Sequence, residues 1–133
     1  MTITADSYFA QTYAEARAKF LAAGAAAGLP VTSHPHPLPG HDGEALAMDV
    51  VRDGPADAPS LLLVTSACHG VEGFCGSGVQ KALLADSALR ARARDAGIAG
   101  LGAQRAVGQQ RVLHARAAEA FDAVAGAGDE QQR

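Results

Sequence analysis

Tryptophan is missing, aromatic residues make up 5% of the chain, there are two cysteines, and acidic residues outnumber basic ones by fourteen to eleven. Each shortage excludes something. Two cysteines cannot build the disulfide framework of a small secreted domain. A net charge of −3 lacks the basic patch that nucleic acid or an anionic membrane would demand. No apolar run approaches the roughly 18 residues of a membrane span. Residues 1–6 show no basic stretch leading into an apolar one, so a cytoplasmic location is expected. Of the 133 residues, 31 are alanine. Alanine buries little area, so the core must rest on few Leu, Val, Ile, Phe, Met and Tyr side chains.

What is present reads as an α/β order. Thr12 and Glu15 form a capping box, and Phe9, Tyr13, Phe20, Leu21 and Gly24 follow one stripe of a helix that Gly28 and Pro30 end. The run from His34 to Gly40 alternates histidine and proline and reads as an extended, turn-rich passage, most simply a solvated proline-rich linker. In residues 46–52, Leu46, Met48 and Val50 alternate with Ala47, Asp49 and Val51, which suggests a strand with one wetter face. Residues 61–65, Leu-Leu-Leu-Val-Thr, fit a fully buried central strand. From Gly76 a helix is expected to run to about Asp95, with Val79, Ala82, Leu83 and Leu89 on its apolar face. After Gly97 the character changes: 25 of the last 37 residues are Ala, Gly, Gln or Arg, and no strand-like run is visible. Residues 1–96 therefore read as the folded part and 97–133 as a helical or disordered tail.

Chemistry concentrates where the apolar strand meets the next helix. His69 and Glu72 stand three apart, a spacing that on a helical turn lets an imidazole and a carboxylate reach one cation. That pair suits Zn²⁺, with Gly70 and Gly73 leaving room beside it. A catalytic zinc takes three protein ligands and keeps a fourth position open, so two ligands are an incomplete set. The plain alternative is a solvated His and Glu in an ordinary loop. Cys68 and Cys75 flank the pair and read as small buried hydrophobes. Ser66 and Ser77 lack the G-x-S-x-G setting of a serine nucleophile. His114 lies between Arg111 and Arg116, which would repel a cation, and reads as an exposed helix residue. His34, His36 and His41 offer adventitious metal capture at most.

The block His69-Gly70-Val71-Glu72-Gly73, followed by Gly76-Ser77-Gly78-Val79-Gln80, resembles the amino-terminal part of a bacterial branch of the zinc carboxypeptidase superfamily. The resemblance spans residues 7–90. It implies a mostly parallel sheet flanked by helices, Zn²⁺ as cofactor, and His69 and Glu72 as its first two protein ligands. The third ligand, the general base and the residues that clamp the substrate carboxylate lie downstream in that family, and nothing after Gly97 resembles them. The expectation is thus an amino-terminal fragment of a zinc-dependent metallocarboxypeptidase-like hydrolase, inactive alone, whose whole domain would act on a peptide or amino-acid conjugate. No nucleic-acid or membrane partner is expected, but self-association through unpaired sheet edges is. The alternative is a small non-enzymatic α/β binding or interaction module.

Overall fold

A computed structural model describes residues 7–67 and 72–104. The elements are α1 (Tyr13–Ala26), β1 (Val31–Pro39), β2 (Ala45–Asp53), β3 (Ser60–Ser66), α2 (Gly73–Ala85), α3 (Ser87–Asp95) and β4 (Ile98–Gln104). The strands form one sheet in the order β1-β2-β4-β3. The α/β class and the flanking helices are as the sequence implies. The sheet, however, is mixed rather than mostly parallel: β1–β2 and β2–β4 are antiparallel, and only β3–β4 is parallel. The reason is connectivity. The short link between β1 and β2 permits a hairpin, whereas β3 reaches β4 through two helices, the crossover a parallel pair requires.

α1 forms where its caps predict. Thr12 Oγ1 accepts from the Glu15 N–H at 3.2 Å, while the Glu15 carboxylate accepts from the Gln11 N–H at 2.9 Å. At the other end Gly28 is left-handed (φ 68°), the Leu29 N–H reaches the Gly24 carbonyl and the Gly28 N–H that of Ala25, closing a Schellman motif. Ala16, Phe20 and Gly24, four apart, are buried. Phe20 and Val51 meet Leu84 in the core, with Ala23, Leu29 and Val31 around them.

Several sequence expectations change. The His/Pro run is not a linker but strand β1, paired to β2 from Val31↔Val51 to Pro39↔Ala45 with a register shift after Pro35; proline is tolerated there because β1 lies at the sheet's edge. Residues Ala47, Asp49 and Val51 do not face water: all three are buried. Asp49 and Val51 meet α1 and the core, because all three described helices cover that face. β3 is not a buried centre. It pairs with β4 alone among the described residues, and Leu61, Leu62 and Leu63 stay 41–56% exposed. The centre is β4, which overturns a boundary at residue 97. Its sequence, Ile-Ala-Gly-Leu-Gly-Ala-Gln, carries no apolar period, and its strand conformation comes from neighbours on both sides. The helix from Gly76 also stops early. Asp86 leaves helical geometry (ψ 87°) and its carboxylate accepts from the Leu89 N–H at 2.9 Å, so α2 ends and α3 begins. Residues 105–133, with His114 and the tail, lie outside the described residues.

Candidate functional site at the β3–α2 turn

β3 and β4 run parallel and end side by side, Ser66 opposite Gln104. In open α/β sheets ligands bind beyond such carboxyl ends. The chain leaves β3 through Ala67, which is 2% exposed and left-handed at φ 55°. An alanine in that region carries strain of about 1–2 kcal/mol that surrounding packing must hold. The packing is visible. A Cβ on Gly73 would lie 2.8 Å from the Ala67 Cα, and one on Gly76 would lie 3.0 Å from the Ser66 Cβ. Glycine at both positions therefore lets the start of α2 press against the end of β3, with only residues 67–72 between.

Glu72 stands at the start of α2 (φ −60°, ψ −23°), exposed, and its side chain caps no backbone N–H. A carboxylate there is favoured by the positive end of the helix dipole. Its presumed partner His69, with Cys68, Gly70 and Val71, lies outside the described residues. Cys75, expected to be buried, is a free and exposed thiol on the first turn of α2. Ser66 and Ser77 are buried. His36 is buried, and its Nδ1 accepts from the Leu38 N–H at 3.1 Å. Among the described residues no three His, Cys, Asp or Glu side chains gather closely enough to hold a metal ion, so the described residues bring one candidate ligand, Glu72.

The buried carboxylate belongs to the scaffold. Asp49, 1% exposed, accepts from Arg17 Nε–H at 2.7 Å and Nη2–H at 3.1 Å and also from the Ser33 hydroxyl. That bond to Asp49 holds the Arg17 guanidinium protonated, its pKa raised. Asp53 accepts from Arg90 at 3.1 Å and Arg94 at 2.7 Å, which ties α3 to β2. Tyr13 bridges α1 to β2: its hydroxyl accepts from the Ala47 N–H at 2.8 Å and donates to the Ala47 carbonyl. Burial raises the Tyr13 pKa. Lys81 donates to the Ser7 carbonyl and sits 5.1 Å above the Tyr8 ring, and burial lowers its pKa.

Sequence reasoning missed two residues near the turn. Ala67 gives no signal, since nothing in an alanine announces a left-handed backbone. Gln80 could have been suspected as a polar residue four before Leu84. The buried face of α2 is Ser77, Gly78, Gln80 and Leu84, not the face of Val79 and Leu83, which is exposed. Gln80 Nε2 donates to the Val64 carbonyl at 2.8 Å and the Ala103 carbonyl at 3.0 Å, pinning α2 to both parallel strands.

A mixed sheet with all described helices on one face and a tight strand–turn–helix junction at the end of its parallel pair defines an α/β module. Residues 9–103 match the model of a family described as a protein of unknown function (DUF2817), and the chain belongs to that family. Among solved structures it is similar to the glutaminyl cyclase of Porphyromonas gingivalis, with 17% identity and a TM-score of 0.48 over 82% of this chain and 48% of that one. The chain thus spans about half the length of that protein. No curated protein matches it. None of the described helices is long and apolar enough to cross a membrane.

Proposed function

We propose that the chain is the amino-terminal part of a zinc-dependent hydrolase of the carboxypeptidase type, with the metal held by His69 and Glu72. The observation behind this reading is the junction itself. A strained Ala67 ends β3, Gly73 and Gly76 bring α2 against it, and Glu72 emerges exposed three residues after His69. Zinc bound there would polarise a substrate carbonyl and lower the pKa of its own water toward about 7. His69 and Glu72 of this chain would hold the metal. The helix start favours the charged form of Glu72, and Gln80 fixes α2 against β3 and β4. Two protein ligands are one short of a catalytic set, and neither a general base nor a clamp for a substrate carboxylate stands beside Glu72 among the described residues. The reading therefore expects no peptidase activity from these 133 residues alone.

Equilibrium dialysis against zinc tests the reading. The full chain should bind about one zinc, and His69→Ala and Glu72→Ala should each weaken binding by about tenfold or more, while His114→Ala should not. Unchanged stoichiometry and affinity in the first two variants would favour a non-enzymatic α/β binding or interaction module instead.

A further inference from the structure

The space under α3 is a second candidate site, independent of the metal reading. Gly100 and Gly102 of β4 face α2 and α3, and together with Leu62, Val64, Leu84 and Ile98 they surround a groove of about 120 Å³. Neither glycine is left-handed, so the backbone does not call for them. An added Cβ would meet nothing closer than 3.9 Å at Gly100 and only Gln80 Oε1, at 3.6 Å, at Gly102. Alanine would fit at both, so local packing does not demand the gap.

Its polar lining is Gln80 and the ion cluster of Asp53, Arg90 and Arg94. Gln80 is 3% exposed, and both protons of its amide nitrogen are committed to the Val64 and Ala103 carbonyls. Those two acceptors fix which end of the amide faces the strands. The oxygen is turned toward Gly102, buried and without a hydrogen-bond partner among the described residues. A buried acceptor left unmatched in an apolar wall is costly, and a donor that reaches it is correspondingly favoured. An enclosed, wholly apolar void of about 150 Å³ accepts a benzene-sized molecule, so a groove of this volume has room for one ring. The mouth is open, bounded by exposed Leu62 and Leu89.

We propose that this groove binds a small apolar molecule of about seven heavy atoms that carries one O–H or N–H, donated to Gln80 Oε1. Phenol and toluene differ in that one feature and nearly share a shape, so they are the probes. Titrating each into the ¹⁵N-labelled full chain should shift the amides of Ile98, Gly100 and Gly102 and the Gln80 side-chain NH₂, with phenol bound at least about tenfold more tightly. The double variant Gly100→Ala/Gly102→Ala, which fills the groove, should keep its fold by circular dichroism and lose the phenol response. Phenol binding no tighter than toluene, no saturable binding of either, or binding that survives in the filled variant would each overturn the proposal.

Discussion

The two halves of the sheet are built on opposite terms. On the β2–α1 side large side chains fill the space and the buried carboxylate is paired: Phe20 and Val51 are 1% exposed, and Asp49 is met by Arg17 and Ser33. On the β3–β4 side glycines replace side chains, three leucines stand exposed, and Gln80 keeps an unpaired oxygen. The left-handed Ala67 and the start of α2 belong to that second half. A filled half carries stability, and an under-filled half carries room for chemistry. The difference teaches that the residues worth testing for function and those worth testing for folding do not overlap.

The largest expected effect lies in the filled half. Phe20→Ala should cost about 3–5 kcal/mol in urea unfolding, since it empties the centre of the core. Leu62→Ala, at 56% exposure on the other side, should cost less than about 1 kcal/mol. Equal losses would erase the contrast. Next comes the comparison of the two aspartates. Asp49→Ala strips a partner from a pair whose carboxylate is buried and should cost about 3 kcal/mol. Asp53→Ala should cost less, about 1–2 kcal/mol, because Asp53 is 12% exposed against 1% for Asp49 and one of its two partners, Arg94, is 41% exposed and screened by water. The smallest effect is alkaline. Burial raises the Tyr13 pKa in the fold, so its neutral form is the stabilised one. That contribution is complete below the unfolded value of about 10 and fades as pH climbs through the raised native value. Wild type should therefore lose more stability than Tyr13→Phe between pH 9 and pH 11, by urea midpoint at each pH.

The same division explains what the sequence disclosed. α1 was readable because Thr12 and Gly28 act through local backbone geometry, which a sequence carries directly. β4 was not, because glycine and alanine have no periodicity and its strand state is imposed by β2 on one side and β3 on the other. A run of three leucines looks alike at a sheet's centre and at its edge, so the exposure of β3 depended on an order of strands that no local pattern encodes. The burial of Asp49 is hidden from the local pattern for a related reason: its partner Arg17 lies 32 residues away. At the candidate site, Glu72 was found by its spacing to His69. The strain at Ala67 and the close approach of Gly73 that shape its surroundings left no mark in residue type alone.

The coordination shell of zinc in the loaded chain tests the functional reading most directly, by X-ray absorption at the zinc edge. The account predicts only nitrogen and oxygen neighbours at about 2.0–2.2 Å, with the outer-shell pattern of an imidazole that vanishes in His69→Ala. Sulfur scattering at about 2.3 Å would place Cys68 or Cys75 on the metal, and an imidazole pattern that persists in His69→Ala would place another histidine there. Either result would contradict it.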